Sequence, residues 1–293
     1  MDYPLDGCWS KIERADSHLD ALDTEVKKWL EVHAETGFSR HFYAEARVQA
    51  FWWDIPDPPL DWGVRIGDVV HNLRSALDHL VWQLSSSPKA GIGGNQFPIF
   101  RDKPTQGFDA RTKDGMLYGV PDDERAKIEG LQPYVRDPGT EDRNALVILN
   151  NLSNVDKHQI VHVVALAQTS GQPPFTAFGP NGDAGPIDFL WAFPGGKLKA
   201  GAVLACFGVS EVTGPNPQVE VQGPIPVQIR LEDGWNAVRT LSDIALAVNQ
   251  IVNYFIPSFN GGDWSASAFY NEDRADPGVG IATQRDDPSP SKG

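Results

Sequence analysis

Between Val64 and Leu84 the apolar residues Ile66, Val69, Leu73, Ala76, Leu77, Leu80 and Leu84 recur at three- and four-residue intervals. At 3.6 residues per turn they form one continuous stripe, which a chain in water can only bury against another element. Two further segments repeat the pattern. Over residues 9–33 it runs through Trp9, Ile12, Ala15, Leu19, Leu22, Val26 and Trp29, and over residues 234–255 through Trp235, Val238, Leu241, Ala245, Val248, Val252 and Phe255. A fourth segment, residues 142–167, is apolar nearly all round and reads as a central helix. Helices of this kind are stable only when their stripes share a core, so the expected frame is a helical bundle.

The rest of the chain changes period. Residues 40–52 alternate, as expected for a half-buried strand, before the prolines of DIPDPPLDWG break the run. The runs DFLWAF, AVLACFGV, VEVQG and PVQIRL, separated by glycine and proline, predict a small antiparallel β layer. Residues 85–120 read as a long irregular connection around QFPIF, and a short helix is expected over residues 121–130. The expected class is therefore α+β, mainly a helical bundle. It forms a single domain over residues 1–258, with a β insertion at residues 173–231 and a Gly/Ser/Pro-rich tail over residues 259–293.

With 41% hydrophobic residues and nine tryptophans, the chain gains more by burial than by staying solvated. A net charge of -14 opposes nonspecific adhesion to DNA, RNA or anionic lipid and gives no sign of DNA as a partner. Cys8 and Cys206 cannot make a disulfide framework or a cysteine-based zinc site. No apolar run reaches spanning length, and the N-terminus lacks the cationic start and apolar stretch of a leader. The expectation is a cytoplasmic protein without a membrane partner.

Chemistry concentrates in two places. Opposite the apolar stripe of residues 64–84 lie Asp68, His71, Arg74, Ser75, Asp78, His79 and Trp82, with Asn72 at the margin. Arg74 and Asp78, four residues apart, can pair. The plain alternative is a solvated face, against which Trp82 argues, since a large aromatic there would more naturally be covered. In the second segment Asn151, Asn154, His158 and His162 follow one narrow strip. Buried, they would need one another or a hydrated cavity, because an unsatisfied amide or imidazole costs about 1–3 kcal/mol. A buried network that fixes helix register is the structural alternative.

The run from Arg74 to His79 resembles the R-x4-6-H signature of HEPN-type helical proteins, although Ser75 follows the arginine where that pattern has Asn, Asp or His. The resemblance implies a metal-independent endoribonuclease of a bacterial defence or toxin system, with RNA as partner, a homodimeric site and no cofactor. It makes His79 the general acid/base for attack of a ribose 2′ hydroxyl and Arg74 the stabiliser of phosphoryl charge. Asp78 would orient His79, with His71 and His158 in the same candidate catalytic set. A larger stretch, from IGDVVHNLRSALDHL through QFPIF and LQPY to LSNVDKH, is similar to an abundant family of bacterial proteins of uncharacterised activity, familiar from actinobacteria.

Two other readings stand beside it. His158 and His162, at helical i and i+4 positions, could bind a divalent ion such as zinc with His71 or His79 as third ligand, similar in spacing to DinB-type bundles. HQIVH lacks the glutamate of HExxH, so metalloprotease chemistry has no support. The third reading is a noncatalytic interaction protein that docks through FWWDIPDPPLDW. GIGGN has no P-loop lysine, and no GxSxG elbow occurs.

Overall fold

The computed structural model describes residues 3–34, 38–89, 94–167, 175–178, 184–185, 188–192, 201–208, 218–221, 227–231 and 234–261. The proposed tail from residue 262 onward lies outside them. The fold is α+β, mostly helical with a smaller antiparallel β layer. The chain divides into two compact units. The first comprises Met1–Leu22, Gly63–Val161 and Val238–Gly293, and the second Asp23–Trp62 and His162–Ala237.

The first unit is built on the expected stripes. Leu5 and, from the start of helix α1 (Asp6–Ala34), Trp9, Ile12, Ala15 and Leu19 are all buried in it. Helix α2 (Leu60–Leu84) buries Ile66, Val69, Val70, Leu73, Ala76, Leu77, Leu80 and Val81 completely. Two short helices, α3 (Phe108–Thr112) and α4 (Asp122–Gly130), precede one turn of helix, α5 (Pro133–Arg136), and then α6 (Ala145–Asp156). Asn144 caps α6 by accepting the Leu146 N–H at 2.9 Å, the usual way a helix start satisfies a donor left without an intrahelical acceptor. Helix α7 (Ala237–Tyr254) belongs to this unit from Val238 onward. Its buried Leu241, Ile244, Val248, Ile251 and Val252 continue the core, and Asn253 accepts the indole N–H of Trp9 at 3.0 Å.

The described residues of the connection over residues 85–120 carry the short helix α3 and are closely tied to one another. Ser85 Oγ donates to the Tyr118 carbonyl at 2.8 Å, Ser86 N–H to Gly119 at 2.9 Å and Gln96 N–H to Met116 at 3.0 Å. Gly119 has φ 73°, and a Cβ there would meet Ser85 Oγ at 2.5 Å, so glycine is required twice over.

The second unit holds the β structure. A hairpin of β1 (Phe38–Tyr43) and β2 (Val48–Trp53) pairs onward with β7 (Ala202–Gly208), and β7 with β6 (Asp188–Ala192), giving the order β1-β2-β7-β6. A second pair joins β3 (Val163–Ala167) to β9 (Val227–Leu231). A three-stranded sheet orders β5 (Ala184–Gly185), β4 (Phe175–Phe178) and β8 (Gln218–Val221). All pairings are antiparallel.

Two expectations change. The single strand over residues 40–52 is a hairpin, because the chain turns through residues 44–47 and Arg47 takes the left-handed φ of 51°. Alternation of side chains is the same on both arms of such a hairpin, so period alone cannot reveal the reversal. The expected helix over residues 142–167 runs only through Ala145–Asp156, and the residues after it form a turn and then β3. The apolar run VVALA is as compatible with a buried strand as with a helix, and the β-branched Val163 and Val164 favour the strand.

The end of α6 and the segment that follows it lie close against α2 at two glycines one turn apart. A Cβ on Gly63 would sit 2.2 Å from the Val161 carbonyl oxygen, and one on Gly67 would sit within contact of the Asp156 carboxylate. The first obstacle is backbone and cannot swing away; the second is the tip of a side chain. Gly63→Ala is therefore expected to destabilise the protein by about 1–3 kcal/mol, and Gly67→Ala by less. Urea denaturation compared with Gly130→Ala, where no atom lies within 4 Å of the added methyl, checks the order.

Candidate functional site

Burial of the α2 stripe turns the opposite face outward. Asp68, His71, His79 and Trp82 are exposed, whereas Arg74, Ser75 and Asp78 are half-buried. Trp82, expected to be covered, is 40% exposed. Asp78 lies to one side of His71 on the helical wheel and His79 to the other, so the neighbouring elements treat them differently.

On the Asp78 side runs the QFPIF segment. Arg74 Nη2 donates to the Phe97 carbonyl at 2.6 Å and lies 3.3 Å from Asp78 Oδ1, which accepts the Phe97 N–H at 2.8 Å. One i, i+4 pair thus grips both polar groups of a fully buried residue's backbone. Gln132, from LQPY, continues the grip. Its amide donates to the carbonyls of Pro98 at 3.0 Å and Ile128 at 3.1 Å, and its oxygen accepts the Phe100 N–H at 3.0 Å. Arg74 Nη1 is buried with no hydrogen-bond partner among the described residues.

Burial governs the electrostatics of this pair. It pushes the Asp78 carboxyl up, against the opposing pull of Arg74, the Phe97 N–H, Lys157 and His79. It pushes the Arg74 guanidinium down, against the attraction of Asp78. Lys157 follows the last residue of α6 and its backbone N–H closes that helix onto Ser153 at 3.3 Å.

His79 faces the other side. Its Nδ1 lies 3.3 Å from where a Cβ on Gly7 would stand, and Lys11 follows Gly7 by one turn of α1. Burial lowers the basicity of His79, Lys11 lowers it further, and Asp78 opposes both. The imidazole is therefore biased toward its neutral form while still reachable from solvent.

The second histidine set is not brought to this face as a helical pair. His158 lies in the turn beyond α6, and His162 precedes β3 in the second unit. The i, i+4 geometry assumed for them fails because the helix has already ended. Asn151, Asn154, His158 and His162 are all exposed, so the strip needs no internal partners. Among the described residues no three or more His, Cys, Asp or Glu side chains gather at metal-binding distance. Nor is any described helix long and apolar enough to cross a membrane.

Two residues absent from the expected set enter the site's field: Lys157, whose charge acts on Asp78, and Lys11, whose charge acts on His79. Lys157 stands in the DKH motif, but nothing in the sequence pairs it with Asp78. Lys11 carried no local signal, since only packing of α1 against α2 brings it near. Comparison with protein-family models, curated proteins and solved structures finds no match to this chain.

The two halves of the face should separate in a melting experiment. Arg74→Ala leaves the Asp78 carboxylate and the Phe97 carbonyl short of a charged partner, a loss of about 2–3 kcal/mol. His71→Ala and His79→Ala remove exposed rings and should shift stability by no more than about 0.5 kcal/mol. Equal losses for Arg74→Ala and His79→Ala would contradict the division.

Proposed function

We propose that the chain is a HEPN-like, metal-independent endoribonuclease of a bacterial defence or toxin system, acting in the cytoplasm as a homodimer. The observation that carries the reading is His79, an exposed imidazole favoured in its neutral form, with Lys11 close by and the Arg74–Asp78 pair on the same helix. Neutral imidazole can take the proton of a ribose 2′ hydroxyl as its oxygen attacks the adjacent phosphorus. The bond from phosphorus to the 5′ oxygen breaks, His79 returns the proton to that oxygen, and the upstream fragment ends in a 2′,3′-cyclic phosphate. Lys11 can offset the charge that develops on the phosphoryl oxygens. Arg74, committed to the Phe97 carbonyl through Nη2, acts as a positioning residue.

The Phe97 grip favours a second reading, in which the RSALDH motif is architectural and the protein is a noncatalytic interaction module. A labelled RNA incubated with purified protein in excess chelator distinguishes the two. The ribonuclease reading expects cyclic-phosphate products and a loss of about 100-fold or more for His79→Ala, with the fold intact. No cutting by the wild type, or undiminished cutting by His79→Ala, leaves the architectural reading. Light scattering gives the oligomeric state, with twice the chain mass expected.

The pH dependence follows from the sign of the shift. The His79 basicity is depressed in the fold, so the base limb of the rate should persist below the ordinary imidazole value of about 6.5 before activity falls. For stability, the unfolded chain binds the proton more readily. The His79 contribution is present above about 6.5 and is lost as pH drops toward the folded value. His79→Asn should abolish this part of the pH dependence in parallel denaturation curves.

A further inference from the structure

Trp82 is the feature of α2 that packing leaves unexplained. A large aromatic ring costs free energy when left in water, yet it stands 40% exposed. It follows His79 by three residues, so the two side chains are neighbours on the helix surface, with Cβ atoms about 5–6 Å apart. The His79 ring lies over the start of α1, 3.3 Å from where a Cβ on Gly7 would stand, and Lys11 is one turn farther along that helix. An exposed indole thus stands next to a protonatable imidazole on α2, with an ammonium group one turn beyond Gly7 on α1, the three kinds of group that a base and its phosphate would use.

We infer that Trp82, His79 and Lys11 form a nucleotide subsite, with an unpaired base stacked on the Trp82 indole and its phosphate held by Lys11 and His79. The substrate class is single-stranded RNA. A ring lying on a protein surface can stack only on a base that has left its own helix, whereas a duplex offers such a ring backbone and groove edges. Stacking tolerates every base, because each has a π face, so the subsite selects for strandedness and not for sequence. The net charge of -14 gives the molecule little long-range attraction for a polyanion. Affinity must then come from local contacts of this kind. The inference takes its substrate from the ribonuclease reading, but binding can be tested apart from cleavage.

The probe is a fluorescein-labelled 2′-O-methyl oligoribonucleotide, which lacks the attacking hydroxyl and cannot be cut, followed by fluorescence anisotropy with the full chain. Wild type should bind the single strand at least about tenfold more tightly than the same sequence as a duplex. Trp82→Ala should weaken binding about tenfold, the scale of one lost base stack, while Trp82→Phe retains most of the affinity. Lys11→Ala should weaken binding and flatten its salt dependence. Equal affinity for Trp82→Ala and wild type, preference for duplex, or no binding by wild type overturns the subsite. If Trp82→Ala does not fold, Lys11→Ala and the single-strand preference decide by the same criteria. Binding of the probe with no cutting of unmodified RNA leaves the subsite and removes the ribonuclease reading. Cutting of unmodified RNA with no effect of Trp82→Ala on probe affinity does the reverse.

Discussion

The backbone around Phe97 runs buried beside α2 and pairs with no strand among the described residues, and a buried peptide group without partners is costly. Side chains supply what a sheet would have supplied. Arg74 and Asp78 take the carbonyl and the N–H of Phe97, and Gln132 takes the next polar groups along the segment. Because Arg74 and Asp78 lie four residues apart on one helix, the grip fixes both the position of the segment and the rotation of the polar face of α2. It agrees with the outward direction that burial of the opposite stripe already gives His71, His79 and Trp82.

This arrangement explains why HNLRSALDHL, QFPIF, LQPY and LSNVDKH belong together. The first grips the second, the third completes the grip, and the fourth ends α6 where Asp156 lies over Gly67 and Lys157 acts on Asp78. A motif set of this kind serves architecture and site at once. Arg74 is the clearest case, with one nitrogen spent on the loop and another buried with no partner among the described residues. His79 carries no such structural duty, which is why the chemistry of the proposal rests on it.

The histidines illustrate how a linear pattern can mislead. His158 and His162 have helical spacing in a sequence that is apolar on both sides, and spacing acquires meaning only if the helix continues. It ends at Asp156, and the residues after it enter a turn and then β3. The metal reading depended on that continuity. Trp82 shows the opposite effect. Its place among polar residues was visible in the sequence, but whether another element covered it was a question of packing alone.

Periodicity by itself determined the long helices α1, α2 and α7 and the antiparallel strands β6 to β9, because a helix or strand that must bury one face writes that face into the order of its side chains. It also determined that Arg74 and Asp78 could pair and that His71 and His79 would face away from the core. Only the tertiary structure decided what Arg74 and Asp78 hold and where α6 stops. It likewise decided that residues 40–52 belong to a hairpin and that Lys11 comes close to His79. Those outcomes depend on backbone groups and side chains far apart in the chain, whose meeting is set by the shared core and leaves no trace in local order.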